Sequence, residues 1–156
     1  MIIDSFLFFQ ELDLLEIRLE YLYPIVDKFV IVEARQSFTG KAKDYIFEQN
    51  IKRYHKYLDK IIYHKIEDIH FSYDALIDFL KKSDSIERKT IFEFISLHDY
   101  YDKDNLSWVL ECYQRECIHI ELQKRCKDED IILMSDLDEI PSYQVIKKLK
   151  QTKLNY

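Results

Sequence analysis

Asp130-Ile131-Ile132-Leu133-Met134-Ser135-Asp136-Leu137-Asp138-Glu139-Ile140-Pro141 runs four apolar residues into a cluster of acids. An uninterrupted apolar run of this length reads as a strand buried on both faces, the kind found in parallel sheets. Side chains alternate along a strand, so carboxylates two residues apart can leave the sheet on the same side. Working outward, three more runs have the same character: Ile2 to Phe9, Phe29 to Val32 and Ile61 to Ile66. Helical periodicity separates them. Leu12, Leu15, Leu19 and Leu22 recur every three or four residues, with Asp13 and Glu16 spaced as a capping box and Pro24 limiting the far end. Phe47, Ile51, Tyr54 and Leu58 mark a second helix, and Leu106 to Ile120 a third, longer one. Strands alternating with helices predict an α/β fold, a mostly parallel sheet flanked by helices. Ligands of such sheets bind beyond the carboxyl ends of the strands.

Residues 70–105 interrupt the alternation and read as one or two inserted helices within a single domain, 1–156. The last helix, Tyr143 to Lys150, carries Val145, Ile146 and Leu149 with little chain left to cover them. That predicts an apolar patch, closed by a partner chain or by self-association.

Composition narrows the chemistry. The 156 residues include one glycine, where average usage would give about eleven. A dinucleotide fingerprint needs three glycines and a P-loop two, so backbone cradles for phosphate are excluded. A net charge of −6 argues against nucleic acid or an anionic membrane as partner. Any anionic ligand therefore needs a local counter-charge. The three cysteines form no CxxC pair and read as reduced thiols in a cytoplasmic setting. Phe6-Leu7-Phe8-Phe9 is too short to span a bilayer and lacks the basic flank of a signal peptide.

Asp136 and Asp138 suit a hard divalent cation, Mn²⁺ or Mg²⁺, which is commonly held by one or two carboxylates together with ligand phosphates. An EF-hand is excluded because Pro141 and Lys147 stand where glycine and an acid are required. A phosphatase opening on Asp-x-Asp would need a large domain afterwards, and 18 residues follow Asp138. A solvated acidic turn capping the helix near Ser142 remains the plain alternative.

Several blocks together resemble glycosyltransferase family 17: Phe8 to Leu19, Val26 to Ala34, Phe38-Thr39-Gly40-Lys41, Trp108 with Tyr113-Gln114-Arg115, and Ser135 to Pro141. They fall in family order across nearly the whole chain. Two features depart from the family pattern: Gln10 replaces a commoner Asn, and residues 70–105 are longer than the usual connection. The resemblance implies a GT-A-like fold and a metal-dependent, inverting transfer from a nucleotide-sugar donor, UDP-N-acetylglucosamine, to a glycan acceptor. It places Asp136 and Asp138 on the metal, and Asp136, Glu33, Lys41, Gln114 and Arg115 around the donor. For Arg115, a surface pair with Glu111 or Glu116 is the competing reading. The resemblance also implies that the chain stops soon after the Asp-x-Asp strand, with the acceptor half missing. Glu139 is then the only nearby acid left as a general base, and a non-catalytic remnant or subunit that binds nucleotide-sugar or a partner protein is the alternative function. The five histidines show no close ligand spacing, and Trp108 reads as a core anchor.

Overall fold

A computed structural model describes residues 1–152. Four strands, β1 (Ile2–Leu7), β2 (Lys28–Ala34), β3 (Ile61–Ile66) and β4 (Ile131–Met134), form one all-parallel sheet in the order β3-β2-β1-β4. The chain builds outward from β1 through β2 to β3 and then returns to the other side of β1 for β4. The gap between the carboxyl ends of β1 and β4 is thus a topological switch point, the place where open α/β sheets bind ligands.

Alternation along the strands feeds two cores. On β2, Phe29 and Ile31 join one cluster with Leu15, Leu19 and Leu22 of α1 (Leu12–Leu22), while Val30 and Val32 join the other. The second cluster is covered by α3 (Tyr73–Lys81), α4 (Ile86–Leu97), α5 (Leu106–Glu116) and α6 (Ile118–Arg125). α2 (Ile46–Gln49) and α7 (Tyr143–Gln151) lie on the α1 side, contributing Phe47 and Ile146.

Several local expectations are corrected. β4 is an edge strand: Ile132 and Met134 are exposed, so its apolar run is covered on one face only. Asp13 and Glu16 form no capping box; α1 has no side-chain cap, and both acids pair with Arg53. The second helix is the short α2 followed by a 3₁₀ segment, Ile51–Tyr57. Tyr54 and Tyr57, three residues apart, are buried on one face, while Ile51 at the start of the segment and Leu58 after it are exposed. The long helix breaks at Cys117, and residues 70–105 hold two helices, α3 and α4. Of the last helix's apolar residues, Ile146 is buried and Val145 is exposed, so the expected patch shrinks to little more than one side chain.

Candidate functional site

A cleft of about 520 Å³ opens at the carboxyl ends of β1, β2 and β4, at the switch point. Its walls are Phe8 and Phe9 after β1, residues 36–39 after β2, Gln114 and Arg115 on α5, and the turn after β4 that holds Asp136 and Asp138.

That turn is anchored from below. Arg18 lies on the apolar stripe of α1, one turn from Leu15 and Leu22, and is completely buried. Its Nε and Nη2 donate to the two carboxylate oxygens of Asp4 at 2.9 and 2.7 Å. Nη1 donates to the carbonyls of Asp136 and Leu137, at 2.5 and 3.1 Å, and Nη2 also reaches Ser135 Oγ at 2.8 Å. Burial pushes the Asp4 carboxyl above the usual carboxylate range, against the pull of the guanidinium. Leu137 is buried in the α1-side core while both neighbouring acids border the cleft. The two carboxylates thus share a side, as period-2 spacing predicts, but in a turn held by Arg18 and not on the strand.

The turn also closes on itself. The Glu139 N–H donates to the Asp136 carbonyl at 3.0 Å, and the Asp136 N–H reaches Glu139 Oε2 at 3.3 Å. One carboxylate oxygen of Glu139 is engaged here, and the residue does not border the cleft. Among the described residues, none of the three acids bonds to the start of α7, where the Tyr143 N–H goes to the Tyr21 hydroxyl instead. The plain alternative thus lacks a capping hydrogen bond, while the three acids do form a solvent-facing turn.

The other candidate residues divide. Arg115 lies on the cleft, its guanidinium 2.8 Å from Asp136 Oδ1 and 3.0 Å from Glu111. The surface pair with Glu111 is present, and the same side chain borders the cleft. Gln114 is buried and donates to the Gln36 carbonyl at 2.8 Å. Gln36 in turn donates to the His70 and Gly40 carbonyls, which ties the loop after β2 to α5. Glu33 is not brought to the cleft. It is fully buried and accepts from Lys43 Nζ, the Ile46 and Phe47 N–H groups and the Tyr63 hydroxyl, at 2.7, 2.7, 3.1 and 2.7 Å. Burial and this carboxylate push the Tyr63 hydroxyl up. Glu33 therefore acts as a bracket for α2 and β3. Lys41 is exposed and off the cleft, and Lys43 occupies the wall in its place. Trp108 is no core anchor: it is 52% exposed, three residues before Glu111 on α5.

Sequence reasoning missed Arg18, Asp4, Gln36 and Lys43. The signal for the first two was present as an acid inside the apolar run Ile2 to Phe9 and an arginine on the leucine stripe of α1. Charges in such positions survive only as a pair.

Electrostatics set what the cleft can hold. Four carboxylates border it (Glu11, Glu111, Asp136 and Asp138) against two cations, Lys43 and Arg115. Lys43 is paired with Glu33, and Arg115 with Glu111 and Asp136. An anion entering this surface meets excess negative charge. The oxygen-only donor set of Asp136 and Asp138 fits a hard cation, and Asp138 has no ion-pair or hydrogen-bond partner among the described residues.

The family model for glycosyltransferase family 17 matches residues 1–75 and 75–154. No curated protein and no solved structure matches the chain. Among the described residues, no helix is long and apolar enough to cross a membrane.

Proposed function

Because the chain belongs to glycosyltransferase family 17, we propose that it moves a sugar from a nucleoside diphosphate donor, UDP-N-acetylglucosamine, to a glycan acceptor, with Asp136 and Asp138 as ligands of a Mn²⁺ or Mg²⁺ ion. The observation that supports this most is the pair of carboxylates on the cleft at the β1/β4 switch point, in surroundings with more negative than positive charge. A bound divalent cation would supply the positive charge that stabilises a departing diphosphate.

The chain's own residues do the rest. Arg18 fixes the backbone of the acidic turn, so the two carboxylates are held in place before ligand arrives. Arg115 sits where a ligand oxygen can replace Asp136 as its partner, releasing that carboxylate to the cation. Gln114 and Gln36 hold the opposing loop at the distance that defines the cleft width. Phe8 and Phe9 supply an apolar wall.

The test is release of UDP from a panel of UDP-sugars with Mn²⁺ or with chelator. Metal-dependent release with one sugar, lost in Asp138→Asn, supports the transferase. Tight binding without release favours a nucleotide-sugar-binding subunit, and neither binding nor release refutes the donor site.

A further inference from the structure

A second cluster of metal-ligating atoms lies away from the cleft-lining residues of α5. α4 ends at Leu97, and His98 leaves the helix with an extended backbone. Residues 99–105 then return the chain to the start of α5, so His98 lies against the middle of that helix. There Cys112 and Glu116, four residues apart, share one face. His98 Nδ1 is 3.1 Å from Cys112 Sγ, and His98 Nε2 is 3.8 Å from Glu116 Oε1. One ligand atom from each of the three residues lies within 4.8 Å of the others.

We propose that His98, Cys112 and Glu116, with water in the fourth position, form a zinc site that staples the α4–α5 connection to α5. Zinc bonds of about 2.3 Å to sulfur and about 2.0 Å to nitrogen, at tetrahedral angles, place donors about 3.5 Å apart. The Nδ1–Sγ separation is close to that value, and a rotation of the Glu116 side chain brings its carboxylate toward the same ring nitrogen. The donor chemistry is selective. A thiolate and an imidazole favour zinc over the hard cations suited to Asp136 and Asp138.

The surroundings have the form of an outer shell. His119 Nε2 lies 3.3 Å from the second oxygen of Glu116 and would orient that carboxylate. Tyr100 packs against the His98 ring at 4.8 Å and covers it. The Tyr101 hydroxyl, on the same short connection, is buried without a hydrogen-bond partner among the described residues. Cys112 is buried and Glu116 mostly so, which shields the sulfur–metal bond from bulk solvent. Metal binding would displace the Cys112 thiol proton to solvent as the sulfur–metal bond forms.

The site bears on the cleft through α5. Glu111, Gln114 and Arg115 line the cleft from the helix that Cys112 and Glu116 would anchor.

The experiment uses the full chain, stripped of metal by chelator and titrated with Co²⁺ as a spectroscopic stand-in for zinc. The expected result is a thiolate-to-cobalt charge-transfer band with tetrahedral visible bands, both bleached by Zn²⁺. Cys112→Ser abolishes the charge-transfer band, whereas Cys126→Ser and Asp136→Asn/Asp138→Asn retain it. His119→Gln weakens Zn²⁺ binding about tenfold. A folded wild-type chain without the band, or a band that persists in Cys112→Ser, overturns the proposal. If Cys112→Ser does not fold, His98→Gln decides: unchanged tetrahedral bands refute the site, and their loss supports it.

Discussion

Arg18 and Asp4 form a completely buried, two-pronged ion pair, and the same guanidinium carries the backbone of the turn between Asp136 and Leu137. One side chain thereby links the inside of β1 to the acidic rim of the cleft.

Removing Arg18 strands a buried carboxylate and frees two carbonyls. Arg18→Met is expected to destabilise the chain by about 3–5 kcal/mol, the range for breaking a buried pair. The double variant Arg18→Met/Asp4→Leu recovers much of that loss in a denaturant melt. It does not recover metal-dependent UDP binding, because the turn has lost its anchor. Equal recovery of both properties would mean that the pair serves stability alone. Arg18→Lys keeps the charge but loses the fork, and is expected to fall between.

Gly40 has φ +84°, and a Cβ at this position would lie 2.9 Å from Leu106 Cδ2. Gly40→Ala combines backbone strain with a clash and is expected to cost about 1–3 kcal/mol. Leu106→Ala in the same chain relieves the clash and leaves the strain, so only part of the loss should return. Full restoration would place the whole cost in the side-chain contact.

Arg115 and Asp136 are 2.8 Å apart, so with the proposed donor bound the arginine would compete with the cation for that carboxylate and pair with the nucleotide. Arg115→Ala is expected to strengthen Mn²⁺ binding in the absence of nucleotide and to weaken UDP binding about tenfold, or ~1.4 kcal/mol. Calorimetry on each ligand separately checks the opposite signs. Effects of the same sign would remove Arg115 from the phosphate site.

Asp68 links the connection after β3 to α5. Burial alone would raise its carboxyl, but hydrogen bonds from His70 and Tyr113, each at 2.7 Å, outweigh that and hold it below the ordinary range. A depressed acid stabilises the fold above its unfolded-state pKa, and that contribution is lost as pH falls through the lower folded value. Asp68→Asn should therefore be less stable than wild type at neutral pH, with the gap closing below about pH 4. Thermal melts across pH 3–7 measure the gap.

Much of this architecture was legible in the sequence because it rests on patterns that strands and helices must obey. The runs at Ile2, Phe29, Ile61 and Ile131 each became a parallel strand, and the paired acids lie at the switch point. What escaped depends on partners distant in sequence. Glu33 read as a strand-end acid facing ligand, yet Lys43, Tyr63 and the start of α2 use all of its bonding capacity. Asp13 and Glu16 had capping spacing, but Arg53, about forty residues on, takes both. Periodicity cannot report that Cys117 ends a helix when apolar residues continue beyond it. Nor does spacing reveal His98 beside Cys112, since the turn at 99–105 creates that proximity.

If Asp136 and Asp138 hold the cation that admits a nucleoside diphosphate, UDP binding depends on that cation. Calorimetric titration of the full chain with UDP, in Mn²⁺ and in chelator, measures this dependence. Binding is expected only with Mn²⁺ and is abolished in Asp136→Asn/Asp138→Asn while circular dichroism and melting remain those of the wild type. UDP binding that persists in chelator, or that is unchanged in the folded double variant, would contradict it.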